Sequence, residues 1–144
     1  MLTLLLPWLP VAGFSDEDPL DVEDILSADP EAEDYVDSVR CLPVRRIRSA
    51  TALDDRHIVF RVSRSEQYLV QLARRCPGLR RNDTLVYETT GGMSVCRNDS
   101  VRGTYGFGPG SRQLGPRCRI PEFQRITTEQ LDLLRETLKQ AKSR

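Results

Sequence analysis

The chain is poor in the residues from which metal centres and histidine-based active sites are built. Its 144 residues include one histidine, His57, and four cysteines, none of which stands in a C-x-x-C pair. Zinc knuckles and thioredoxin-like sites need such close pairs, so we expect neither a metal site nor a cofactor. No apolar run approaches the ~20 residues of a membrane-spanning helix, so we expect no membrane span. Aromatic residues are only 6% of the chain, which leaves few for stacking on bases, and we do not expect nucleic acid as a partner.

Lysine is scarce as well, and the charges are unevenly distributed. Of the 21 basic residues, 19 are arginine. Guanidinium groups bind phosphate and carboxylate through paired hydrogen bonds, but a GC-rich genome also supplies arginine to an ordinary solvated surface. Residues 1–40 hold eleven carboxylates and one arginine, whereas residues 41–144 hold ten carboxylates and twenty basic residues. This split predicts an acidic segment joined to a basic body.

The beginning of the chain resembles an export signal. Residues 2–12 (LTLLLPWLPVA) form a short apolar stretch followed by small residues, although no lysine or arginine precedes it. We expect residues 1–13 to be a signal peptide and the protein to be exported, to the periplasm or outside the cell. The even number of cysteines agrees, because disulfides persist in oxidising compartments.

Residues 14–40 are acidic and interrupted by proline. Their mutual repulsion and thin apolar stripe predict a largely disordered segment, helical at most near residues 31–39. It is either a solvated linker or a segment that lies against the arginine-rich body. We expect its removal to leave thermal stability nearly unchanged.

Residues 41–126 are predicted to form short antiparallel strands. In 57–63, Ile58, Phe60 and Val62 share one face, and the opposite face is polar except for Val59. The whole stretch 57–74 is typical of a hairpin. Residues 84–97 suggest a second hairpin that turns at Gly91-Gly92. Residues 42–50 would be the first strand. Residues 117–126 would be the last, placed at an edge because Pro121 interrupts it.

One helix is predicted at residues 127–142. Thr127 and Gln130 match a capping box, and Ile126 with Leu131 match the hydrophobic staple around it. The apolar positions that follow fall on one face, which should pack on the sheet. We therefore expect a single β-rich domain, 41–142, that ends in this helix.

The cysteines are expected to form two disulfides, for which four cysteines allow three pairings. Cys41 leads into the first predicted strand and Cys118 into the last, so a bond between them would close a rolled sheet. We therefore predict Cys41–Cys118 and Cys76–Cys96. The fold class is α+β: a small, partly closed antiparallel sheet or barrel-like roll with one C-terminal helix, stapled by disulfides.

These motifs resemble those of a family of small exported bacterial proteins that is known only as a domain of unknown function. The resemblance covers about residues 40–130, leaves out the acidic segment, and is most distinctive in the Asp-Asp-Arg and Cys-Pro-Gly-Leu motifs. It implies one small domain and an envelope location, and no reaction, substrate or cofactor. The matching positions are Cys41, Arg46-Ile47, Leu53-Asp54-Asp55-Arg56, Ile58, Phe60, Tyr68-Leu69, Leu72, Cys76-Pro77-Gly78-Leu79, Cys96, Asp99, Val101 and Cys118-Arg119-Ile120.

Three groups of residues are candidates for function. A carboxylate of Asp54 or Asp55 could orient His57 as a general base, but the Asp-Asp pair is also ordinary turn chemistry before a strand. A glycine-rich loop at 103–110 lacks the following helix that a phosphate loop needs, so we interpret it as a surface loop. A basic patch near Tyr68 and Tyr87 could bind anions through Arg45, Arg46, Arg48, Arg74, Arg75, Arg80 and Arg81.

The sequence favours a non-catalytic envelope protein that acts by binding or as a structural module. An anionic envelope polymer or another protein would be its partner. The first alternative is a polyanion-binding module that uses the arginine-rich face. The second is a small hydrolase centred on His57 and Asp55.

Overall fold

A computed structural model describes residues 21–27, 38–81, 85–105 and 113–143. Two helices, twelve short strands and one 3-10 turn lie within these ranges. In chain order they are α1 (Val22–Ser27), β1 (Ser38–Val39), β2 (Cys41–Pro43), the 3-10 turn (Val44–Arg46), β3 (Ser49–Ala52), β4 (His57–Arg61), β5 (Gln67–Gln71), β6 (Val86–Glu88), β7 (Ser94–Cys96), β8 (Ser100–Arg102), β9 (Thr104–Tyr105), β10 (Gln113–Leu114), β11 (Cys118–Arg119), β12 (Phe123–Ile126) and α2 (Thr128–Lys142). Neither helix has the length and apolar character that crossing a membrane requires.

The described strands pair antiparallel in four sheets. The largest has five strands in the order β1-β12-β5-β4-β3, and the others are β11-β8-β6, β2-β7 and β10-β9. The predicted α+β class with a C-terminal helix is therefore confirmed. The predicted closure into a roll is wrong, because no ladder between strands of the described ranges joins these sheets to one another.

The five-stranded sheet is buried on both faces. Ile58 and Phe60 point into the larger core, shared with the smaller sheets, whereas Val59 and Leu69 point into a second core beneath α2. Alternate residues of a strand face opposite sides, so an apolar Val59 among outward positions is what a helix-covered sheet requires. The predicted hairpin is confirmed, with His57–Arg61 paired to Gln67–Gln71.

Helix α2 has the predicted start. The Thr127 hydroxyl accepts a hydrogen bond from the Gln130 backbone N–H at 3.1 Å, and the Gln130 side chain accepts one from the Thr127 N–H at 2.8 Å. Leu131 and Leu134 are fully buried in the second core together with Ile126. The helix therefore packs on the sheet through its apolar face, as predicted.

Part of the acidic segment is helical and packs against the domain. Ile25 of α1 is 4% exposed, and Val22 and Leu26 pack against the second core. The Gln130 side-chain amide donates to the carbonyls of Ile25 and Leu26, at 3.4 Å each. Removing the segment would uncover part of this core, so the structure favours a loss of stability on deletion, in contrast to the nearly unchanged stability expected from the sequence. The helix predicted near 31–39 lies mostly outside the described residues, and Ser38–Val39 is a strand.

The second predicted hairpin does not form. A turn with a positive φ at Gly92 is present, but its two arms pair elsewhere: β6 with β8, and β7 with β2. Residues 42–50 likewise divide into β2 and β3, because the 3-10 turn separates them. Local turn chemistry predicted the bend correctly and could not predict which distant strand each arm would meet.

The last predicted strand is also divided. Pro121 lacks the N–H that a ladder needs, so the chain leaves the β11-β8-β6 sheet and enters the five-stranded sheet as β12. There β12 lies between β1 and β5, an interior position and not the predicted edge.

Both disulfides are present with a different pairing from the one predicted. The bonds join Cys41 to Cys96 and Cys76 to Cys118. Cys41 and Cys96 stand directly opposite each other in the β2-β7 ladder. The predicted Cys41–Cys118 bond presupposed a closed roll, and without that closure the two residues belong to different sheets.

Candidate functional site

A groove of about 650 Å³ lies where the turn after β3, the segment after β5 and the end of α2 meet. We call it the basic groove. Its apolar wall comes from both cores, and its polar lining contains more cations than carboxylates. The residues that line it are Leu53, Asp54, Asp55, Arg75, Leu79, Arg80, Arg81, Leu138, Ala141 and Lys142.

The Cys-Pro-Gly-Leu motif holds the arginine-bearing segment in place. Cys76 is fully buried, its sulfur is bonded to Cys118, and its N–H donates to the Asp55 carbonyl at 2.7 Å. The Leu79 N–H donates back to the Cys76 carbonyl at 3.2 Å, which closes a tight turn. Arg75 precedes this turn and Arg80 follows it, so both guanidinium groups project from fixed backbone.

The same turn explains a glycine at the start of the glycine-rich loop. Gly78 has φ of 88°, a value that favours glycine. A Cβ on Gly103 would lie 2.2 Å from the Gly78 carbonyl carbon, so the two backbones approach this closely only because residue 103 is glycine. Residues 106–112 of the loop lie outside the described residues, as does the side chain of Tyr105.

Unpaired positive charge dominates the basic groove. Asp55 contacts Arg75 across 3.5 Å, and both side chains are well exposed, so this ion pair is weak. Arg80, Arg81 and Lys142 form no ion pair with any described residue. Three cations in the groove are therefore available to an anionic group.

Asp54 and His57 form a compact contact at the edge of the basic groove. Both carboxylate oxygens of Asp54 lie 2.9 Å from His57 Nδ1, and one of them also accepts from the backbone N–H groups of Arg56 and His57. Burial disfavours the charged carboxylate and is the largest single influence on the pKa of Asp54. The hydrogen bonds from the ring and the backbone together outweigh it, so the pKa of Asp54 lies below its ordinary value of 3.8.

This contact has the geometry of a turn more than of a catalytic centre. The carboxylate that reaches His57 is Asp54, whereas Asp55, the partner predicted for a hydrolase, points to Arg75. Within the described ranges, no hydroxyl or thiol lies within hydrogen-bond distance of the ring to act as a nucleophile. Asp54 instead closes the bend from β3 to β4 by accepting the hydrogen bonds of the residues that follow it.

The seven arginines of the predicted patch are divided by the fold. Arg75, Arg80 and Arg81 line the basic groove, whereas Arg74 is exposed outside its lining. Arg45, Arg46 and Arg48 belong to the segment between β2 and β3, where Arg46 contacts Glu66 at 2.9 Å. The structure therefore does not bring the two sets together in one groove.

Sequence reasoning missed the contribution of α2 to the groove. Leu138 and Lys142 are one helical turn apart and both line it. By its position in the sequence alone, Lys142 is a favourable charge at the helix C-terminus. The i, i+4 spacing from a residue of the apolar stripe was the available signal that Lys142 faces the domain.

Metal-binding potential is low in the described part of the chain. No group of three or more histidine, cysteine, aspartate or glutamate side chains is placed to hold an ion there. All four cysteines are engaged in disulfides.

Fold and groove together define a small α+β domain, cross-linked by two disulfides, that carries a predominantly basic groove. The chain belongs to a family of unknown function, DUF6491, whose model matches residues 1–142. This agrees with the family resemblance predicted from the motifs. Its predicted extent was wrong, because the match includes the acidic segment. No curated protein and no solved structure matches the chain.

Proposed function

We propose that the protein is an exported, non-catalytic binding module whose ligand carries negative charge and is held in the basic groove. The observation that supports this most directly is that Arg80, Arg81 and Lys142 line one groove and form no ion pair with any residue that the structure describes. Export is supported by the apolar stretch at residues 2–12 and by the two disulfides.

The composition of the groove favours recognition of anionic groups. Arginine forks hydrogen-bond to phosphate, sulfate or carboxylate in pairs, and a wall of Leu53 and Leu79 excludes water from one side. Charges interact more strongly beside such an apolar surface than in bulk water. An envelope polymer that repeats an anionic group would contact several cations at once.

Retention on heparin resin tests this proposal, with heparin as the polyanion. We expect Arg80→Glu/Arg81→Glu to elute at clearly lower salt than the wild-type protein. Arg45→Glu/Arg48→Glu is the matched control, because it makes the same change of charge at exposed positions outside the groove. If both double variants elute together, retention reflects overall charge and the groove is not the binding site.

Export is tested by the mass of the protein recovered from its native cells. We expect a chain without residues 1–13 that takes up no thiol-alkylating reagent until it is reduced. A chain that retains the leader and reacts through four free thiols would contradict export.

A small hydrolase is the alternative that the contact between Asp54 and His57 supports. A screen of ester, phosphoester and peptide substrates with the wild-type protein and His57→Ala decides between the two. Turnover that disappears in His57→Ala would favour the hydrolase, and no turnover in either protein favours the binding module.

A further inference from the structure

A second cavity, of about 330 Å³, lies on another part of the molecule. It is lined by Val39, Arg40, Arg97, Asn98 and Glu122, and we call it the Arg40–Arg97 pocket. A neighbouring cavity of about 460 Å³ shares Arg40, Arg97 and Asn98 and extends along the Cys41–Cys96 disulfide. None of the residues that line either cavity belongs to the basic groove.

Two arginines line this pocket from directly opposed positions of one ladder. Cys41 is paired with Cys96, so the next position of the same antiparallel register sets Arg40 opposite Arg97, and the Arg97 N–H donates to the Arg40 carbonyl at 2.8 Å. Like charges on directly opposed residues destabilise a ladder. Neither guanidinium forms an ion pair or hydrogen bond with a described side chain. An unbalanced pair of this kind has the charge to attract an anion.

A carboxylate stands on the other side of Arg40. Val39 is paired with Phe123 in the five-stranded sheet, so continuing that register places Glu122 beside Arg40. Arg40 thus lies between Glu122 and Arg97, at the point where the chain passes from β1 to β2. Glu122 also lines the pocket and has no ion-pair partner among the residues described.

The backbone that carries these groups is held from several directions. The disulfide lies one residue from both arginines. Asn98 has φ of 76°, a conformation that non-glycine residues rarely adopt, and its N–H donates to the Ile120 carbonyl at 2.9 Å. Next to it, the buried Asp99 carboxylate accepts a hydrogen bond from the Cys96 N–H at 2.7 Å. Such preorganisation reduces the entropy that binding must overcome.

We propose that the Arg40–Arg97 pocket binds a small zwitterion of the α-amino acid class. The carboxylate of the ligand is held between the guanidinium groups of Arg40 and Arg97, and its ammonium group faces Glu122. Glu122 repels a simple dianion such as phosphate, so it selects ligands that carry a positive charge beside the negative one. The side chain of the amino acid extends toward the neighbouring cavity.

Chemical-shift titration of the full chain with each of the common amino acids, at millimolar concentration, tests the proposal. We expect shifts at the amides of Arg97 and Asn98 with at least one of them. The best ligand is then compared with its N-acetyl and carboxamide derivatives, each of which lacks one charge. Both derivatives should bind about tenfold more weakly or worse, which is the usual effect of losing a charged hydrogen bond.

Variants separate this site from nonspecific effects. Arg97→Gln should weaken binding of the free amino acid about tenfold. Glu122→Gln should weaken it similarly, but it should tighten binding of the anionic N-acetyl derivative because it removes a repelling carboxylate. The matched control is Arg119→Gln, at an exposed arginine outside the pocket lining. Absence of binding by every amino acid, equal binding of the N-acetyl derivative, or tighter binding of inorganic phosphate would each overturn the proposal.

Discussion

Adjacent leucines on α2 offer a direct test of how the helix stabilises the fold. Leu134 is 0% exposed and Leu133 is 50% exposed, yet Leu→Ala removes the same atoms at both positions and hardly changes helix propensity. Truncating a leucine in a tightly packed core costs ~2–5 kcal/mol. Leu134 is surrounded by the second core, so we expect Leu134→Ala to lower the free energy of unfolding by about 3 kcal/mol. The free energy of unfolding of Leu133→Ala should remain within about 0.5 kcal/mol of the wild-type value.

Urea denaturation with both disulfides intact measures this difference. The midpoint should fall for Leu134→Ala at an unchanged m-value, and the melting temperature should fall by roughly 12 °C, at about 4 °C per kcal/mol. A midpoint shared by Leu134→Ala and Leu133→Ala would refute the docking of α2 on the sheet. A change in the m-value would instead show that the variant alters the compactness of one of the two states.

Three further predictions concern other parts of the fold. Ile25→Ala should lower the free energy of unfolding by about 2 kcal/mol, measured by the same denaturation, because it opens the contact of α1 with α2; an unchanged midpoint would mean that α1 is undocked in solution. Gly103→Ala should destabilise the fold by about 3 kcal/mol because the added Cβ meets the Gly78 backbone. Gly91→Ala is the control and should be close to neutral, because its Cβ meets nothing within 4 Å. Similar melting temperatures for the two variants would contradict this packing. The pKa of Asp99 lies below its ordinary value of 3.8 because its hydrogen bonds outweigh the opposing effect of burial, so its stabilisation is complete above that pH and is lost as the pH falls below it. Asp99→Asn should therefore cost about 1–3 kcal/mol at pH 7, a difference that shrinks in acid unfolding experiments, and a constant difference down to pH 2 would exclude this role.

The elements that the sequence predicted well are those stabilised by neighbours along the chain. The α2 capping box joins residues three positions apart, and the hairpin of β4 and β5 needs only a short turn between two alternating segments. In both cases the residues that interact lie close together along the chain. The positive φ of Gly92 in the predicted Gly91-Gly92 turn is of the same kind.

Pairing between distant segments could not be predicted in this way. Cys41 meets Cys96 because β2 pairs with β7, a ladder between strands more than fifty residues apart. Spacing alone permits each cysteine any of three partners. The wrong disulfide assignment and the wrong hairpin at 84–97 have one cause: three-residue strands contain too little pattern to specify their neighbours.

The candidate sites follow the same division. The sequence by itself determined the residue types: many arginines, one histidine, four cysteines and a charge split between two parts of the chain. Only the tertiary structure decided that Arg80 and Lys142 share a groove, that Asp55 does not reach His57, and that Arg40 opposes Arg97. Charge and hydrogen-bonding capacity are properties of single side chains, whereas a binding site is a set of distances that exists only after separate sheets and a helix have packed together.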